Sequence, residues 1–163
     1  MAWRAGLDLN PLGAAGEDDV AGLSCLLWPG ETGRGRTPRR ALATARRWPP
    51  ALHRGDLPAD LPDLAARAPS GATLVVYHSA VLALVDERKR REFGAAARRL
   101  GAVWLSNEAP GVLPWLTVLP GGPSFVLVRD GTQVLARTDP HGTCTGPARD
   151  LARMAVLTPS RRP

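Results

Sequence analysis

His78 and Ser79 end an apolar run, Leu74-Val75-Val76-Tyr77, and turn the chain polar in one step. A histidine titrates near neutrality, so in a cleft beside Ser79 and Glu108 it has the chemistry of a general base. The competing reading is a strand-end histidine that only bonds a neighbouring backbone carbonyl. A serine hydrolase is disfavoured on two counts. Adjacent strand residues point to opposite sides, and no Gly-x-Ser-x-Gly turn is present to expose a nucleophile. His53, His78, His141, Cys25 and Cys144 show no recognisable ligand spacing, so no metal site is expected. Asp8 follows Leu7 just before Asn10 and Pro11. At the end of a short strand it would stand where nucleotide-binding α/β proteins place an acid to hold a ribose, and its plainer reading is an Asp that makes a turn.

The elements that must position these residues read as an α/β alternation. Ala72 to Leu82, ATLVVYHSAVL, begins after Pro69, Ser70 and Gly71 and reads as a buried parallel strand at the centre of a sheet. Ligands of open α/β sheets bind outside the carboxyl ends of the strands, which places His78 and Ser79 at such a site. Ala102 to Leu105 is the next strand and also ends in polar residues, Ser106, Asn107 and Glu108. Earlier, Trp3 to Leu9 reads as a strand, and Val20 to Leu27 as a helix capped by Asp18 or Asp19. A second helix runs from Thr37 and Pro38 to about Trp48. Ala51 to Asp56 is a brief strand closing on Gly55 and Asp56, and Leu57 to Ala68 a short helix with Pro62 near its first position.

Asp86 caps a helix that ends at Gly101, with Phe93, Ala96, Ala97 and Leu100 as its inward stripe. Val112 to Val118 is interrupted by Pro114 and reads as a short helix or irregular wall rather than a central strand. Ser124 to Val128 and Thr132 to Arg137 form a hairpin across Asp130-Gly131. A weak helical pattern follows Pro147 through Leu151 and Met154, and residues 158–163 read as a disordered tail.

Length and composition bound the rest. At 163 residues and 44% hydrophobic, the chain is expected to fold as a single domain over 1–163. MAWRAGLDLNPL has no continuous apolar segment after Arg4, and no run approaches the length that crosses a bilayer, so a cytoplasmic protein with no membrane partner is expected. The two cysteines, far apart, read as reduced thiols. The net charge of +6 invites a nucleic-acid partner. Lys89 is however the only lysine, the arginines are spread, and the cluster Arg34, Arg36, Arg39, Arg40, Arg46 and Arg47 lacks interleaved aromatic side chains. That cluster reads as a solvated helix face and nucleic acid as an unlikely partner, while a small molecule stays open as one.

RAGLDLNPL, the LLWP helix end, RGDLPADLPDLAARAP, ATLVVYHSAVL, WLSNEAPGV and the closing DPHG together resemble a bacterial family, the domain-of-unknown-function family two-three-three-two, over about residues 3 to 142. The family is typical of high-GC actinobacteria, in keeping with the arginine bias. The order of elements looks like the later part of a class I, S-adenosylmethionine-dependent methyltransferase. The resemblance implies a Rossmann-like, mostly parallel sheet with a C-terminal antiparallel hairpin. It further implies that Asp8 holds a ribose, that Gly55 and Asp56 contact the adenine amine, and that His78, Ser79 and Glu108 line the methyl-transfer site, with S-adenosylmethionine as cofactor.

The family's glycine-containing first strand and turn, of the type GASAGLNL, has no counterpart between Met1 and Gly71. The expectation is therefore a truncated, inactive methyltransferase-like chain. The alternative is a non-catalytic binding or interaction module on the same fold. Without a first strand, the strand around Leu7 either pairs with the strand of Val75 or leaves an exposed edge, through which a homodimer could form.

Overall fold

The computed structural model describes residues 2–25, 36–118, 125–139, 145–146 and 155–157. The chain is mixed α/β and divides into two compact units, Met1–Pro69 and Ser70–Pro163. Among the described residues no helix is long and apolar enough to cross a membrane.

In the first unit, β1 (Ala5–Asp8) pairs in parallel with β2 (Ala51–Arg54), in the register Ala5↔Ala51 to Asp8↔Arg54. The strand around Leu7 thus takes β2 as its partner, not the strand of Val75, and has no ladder on its other side among the described residues. Between β1 and β2 come α1 (Glu17–Cys25) and α2 (Arg36–Arg47). Because α1 starts at Glu17, Asp18 and Asp19 lie within its first turn, where negative charge still favours the helix dipole. Asp19 Oδ2 accepts from Gly13 N at 2.7 Å. The helix α3 (Leu57–Ala65) packs on β1 and buries Leu61 and Leu64. Pro62 falls inside α3 and Pro58 takes the position near its start.

The second unit is built on a five-stranded sheet in the order β3 (Val75–Ser79), β4 (Val103–Glu108), β6 (Phe125–Arg129), β7 (Gln133–Thr138), β8 (Thr145–Gly146). Two expectations are corrected here. The Val75–Tyr77 strand is an outer strand of this order, not its centre, and its Val75 and Tyr77 are 50% and 62% exposed. Only the β3–β4 ladder is parallel, whereas β4–β6, β6–β7 and β7–β8 are antiparallel, so the sheet is mixed and not mostly parallel. The cause lies in the connections. The helix α4 (Glu87–Arg99) carries the chain from β3 back to a parallel β4, while no helix is described between β4 and β6.

The hairpin forms as the sequence indicates. Asp130 and Gly131 both have positive φ, +52° and +73°, as a two-residue turn of this kind requires. Asp86 Oδ1 accepts from Lys89 N at 2.8 Å and caps α4, and Phe93, Ala96 and Ala97 are buried along its inner face. Gly94 belongs to the same face, since a Cβ there would meet Trp115 at 2.9 Å.

Contrary to the reading of Val112–Val118, Leu116–Val118 is a strand, β5, paired antiparallel with β9 (Ala155–Leu157). The break at Pro114 stands, but the strand begins beyond it. Leu26 to Trp28, His141, Cys144, Leu151, Met154 and residues 158–163 lie outside the described residues.

Candidate functional site

The β3–β4 register sets His78 beside Ser106 and Ser79 beside Asn107. Side chains alternate along a strand, so one face of the pair presents Val76, His78, Trp104, Ser106 and Glu108, and the other Tyr77, Ser79, Leu105 and Asn107. Consecutive residues of each polar strand end therefore act on opposite faces.

On the first face His78 sits among aromatic rings, edge-on to Phe93 with centroids 5.2 Å apart, while Phe93 is edge-on to Trp104 at 5.6 Å. Trp104 Nε1 donates to His78 Nε2 at 3.0 Å, and His78 Nδ1 lies 2.8 Å from Glu108 Oε1. An indole N–H can only donate, so Nε2 accepts and the ring proton sits on Nδ1, directed at the carboxylate. Both nitrogens of a ring that is 6% exposed are thus engaged.

Glu108, 1% exposed, gathers the turn that follows β3. Its Oε1 accepts from Val81 N at 2.9 Å and Leu82 N at 3.0 Å in addition to His78. The turn presents these two amides together because Ala80 adopts φ +56° and the chain then tightens into the 3₁₀ turn Leu82–Leu84. Successive backbone N–H groups of this kind form an anion-binding concavity. Here a carboxylate of the chain itself fills it. Burial pushes the Glu108 carboxyl up, but the hydrogen bonds from His78, Leu82 and Val81 outweigh that penalty and hold it below the usual glutamate value. Arg90 closes the far side of the turn, donating through Nε to Val85 O at 2.8 Å and through Nη1 to Val112 O at 3.3 Å.

The other face carries a second polar chain. Asn107 Nδ2 donates to Ser79 Oγ at 3.0 Å, and Thr138 Oγ1 donates to Asn107 Oδ1. Of the three residues proposed for catalysis, the structure brings His78 and Glu108 into contact and sets Ser79 on the opposite face with Asn107. Trp104 and Thr138, which complete the two networks, escaped the sequence reading. Trp104 reads there as one more apolar strand residue, and Thr138 lies far along the chain from both strand ends.

Asp8, Gly55 and Asp56 belong to the first unit, at the carboxyl ends of β1 and β2. Gly55 N donates to Asp8 O at 2.9 Å, which brings these strand ends together. Asp8 Oδ1 accepts from Asn10 N at 2.8 Å, the bond of a turn-making Asp. Asp60 Oδ2 accepts from Asp56 N at 2.7 Å across the start of α3. A Cβ at Gly55 would meet Asp60 Oδ2 at 2.6 Å and Leu7 Cδ1 at 2.7 Å, so glycine is required by the close approach of the chain's own side chains.

A small cavity opens beside Glu108, between Ser106, Leu113, Leu116, Val126 and Val128, with the exposed Pro110 and Gly111 also on its wall. Ser106 Oγ and Glu108 Oε2 are buried on it without a hydrogen-bond partner. Among the described residues no group of three or more His, Cys, Asp or Glu is placed to hold a metal ion.

A family model described as an uncharacterized protein conserved in bacteria (DUF2332) matches residues 1–145. No curated protein matches the chain, and no solved structure does.

Proposed function

The chain belongs to this family of uncharacterised proteins conserved in bacteria, and from that premise we propose that it serves as a non-catalytic binding module on a methyltransferase-like frame. The observation that carries this reading is the saturation of Glu108 Oε1 by His78, Val81 and Leu82. A general base needs a ring nitrogen within reach of substrate, and both nitrogens of His78 are committed to buried partners. A nucleotide-type cofactor also needs free backbone N–H donors at the strand ends for its anionic group. Those of Val81 and Leu82 are taken by Glu108 and that of Asp56 by Asp60. The donor set at these turns therefore does not fit the methionine carboxylate of S-adenosylmethionine.

The test is calorimetric titration of the chain with S-adenosylmethionine. No binding is expected up to about 1 mM ligand, and a micromolar Kd would overturn the reading. Ala80 favours the runner-up, an active methyltransferase. It is a non-glycine residue in the left-handed region directly after Ser79, and strain of that kind gathers at functional turns. In that reading Ser79 and Asn107, not His78, contact the ligand.

A further inference from the structure

Glu108 spends only one of its two oxygens on the fold. Oε1 receives all the hydrogen bonds from His78, Val81 and Leu82, while Oε2 has no donor and Ser106 Oγ is equally unpartnered, and both residues line the adjoining cavity. Ser106 is 0% and Glu108 1% exposed. A buried carboxylate oxygen left without a donor is costly, and so is a buried hydroxyl, so the pair calls for a partner that donates to both.

We propose that Glu108 Oε2 and Ser106 Oγ form a subsite for the protonated amino group of a small ligand. This deepens the binding-module reading and rests on it. Three properties of the cavity select that group. Its polar side-chain atoms are a carboxylate oxygen, which can only accept, and a hydroxyl, which can accept beside it, so an anion is repelled and a charged N–H donor gains charge-assisted bonds. Beside these atoms there is room for about one water-sized group, which suits an –NH₃⁺ better than a guanidinium or a quaternary ammonium. The remaining wall from Leu113, Leu116, Val126 and Val128 is apolar and offers no competing polar group, so a carbon stem on the amine would point out through the mouth rather than fill the cavity. Pro110 and Gly111, both exposed, give the way in.

A glutamine at position 108 could satisfy the turn through its oxygen, but it would place an –NH₂ donor on the side where the proposed ammonium sits.

The test is titration of the chain with methylammonium chloride, followed by backbone amide NMR shifts, against tetramethylammonium chloride at equal ionic strength. Methylammonium is expected to shift the amides of Ser106, Glu108 and Gly111 with a Kd on the order of millimolar, and tetramethylammonium to leave them unmoved. Ser106→Val fills the cavity and removes one acceptor without touching the bonds of Oε1. It is expected to weaken binding by about tenfold or more. Should that variant fail to fold, Ser106→Ala removes the acceptor alone and is expected to weaken binding by about threefold. Absence of methylammonium shifts at about 100 mM, equal shifts with tetramethylammonium, or unchanged affinity in a folded Ser106 variant overturns the subsite. Such a failure is distinct from that of the module reading, which falls only if S-adenosylmethionine binds.

Discussion

Replacing His78 with Phe separates a structural clasp from a catalytic base. The new ring keeps the edge-on contact that His78 makes with Phe93 at 5.2 Å but carries no nitrogen. Two bonds are lost. Trp104 Nε1, in a side chain 1% exposed, is stranded without an acceptor, which costs about 1–3 kcal/mol. Glu108 loses one charge-assisted donor, worth about 1.5–3 kcal/mol, while Val81 and Leu82 still hold it. The two effects sum to about 2.5–6 kcal/mol, and the extra apolar burial of phenylalanine brings the expected loss toward about 3 kcal/mol. In thermal unfolding that is a fall in Tm of roughly 10 °C.

Urea denaturation followed by circular dichroism measures the loss directly. The double variant His78→Phe with Trp104→Phe removes the stranded donor as well, so its cost is expected to fall short of the sum of the single variants by about 1 kcal/mol or more. A His78→Phe stability within about 0.5 kcal/mol of wild type, or strict additivity in the cycle, would refute the clasp.

Acid stability follows from Glu108. Its folded carboxyl titrates below the ordinary 4.5, so the stabilisation is fully present above that value and is lost as pH falls through the lower folded one. Urea midpoints measured across this range are expected to drop less steeply in Glu108→Gln than in wild type, and equal slopes would contradict the assignment. Gly131→Ala combines a strained φ of +73° with a Cβ 2.7 Å from Trp104 Cζ3, so a loss of about 2 kcal/mol or more is expected on denaturation. A variant as stable as wild type would mean that the hairpin turn is built differently.

Where the sequence carried a local rule, the element could be read. Asp130-Gly131 specified its turn because few pairs tolerate two positive φ angles in succession. Asp86 and the Phe93, Ala96, Ala97 spacing specified α4 because cap and stripe agree. Strand neighbours follow no such rule. The run Leu74 to Tyr77 is apolar enough for a strand buried on both faces, yet Val75 and Tyr77 are exposed on the outer strand of the sheet. Nothing within the run distinguishes those two environments. β5 was missed for a related reason: its partner β9 lies far along the chain, and pairing over such a separation leaves no mark in the local pattern that Pro114 dominates.

The site posed a subtler difficulty. Polar residues at the carboxyl ends of parallel strands mark a ligand site because the turns beyond them expose backbone N–H groups. The same turns can be closed by the chain's own carboxylates, and a residue such as Glu108 has the same sequence signature in either case. The identities of His78 and Glu108 made them candidates, but only the hydrogen-bond geometry assigns Nε2 to Trp104 and Oε1 to the turn. Once those atoms are committed inward, the chemistry still open to a ligand reduces to what remains outward. On that face of the sheet it is Glu108 Oε2 with Ser106 Oγ, a pair that can attract a cation but whose carboxylate, held below the usual glutamate value, is too weak a base to take an ammonium's proton.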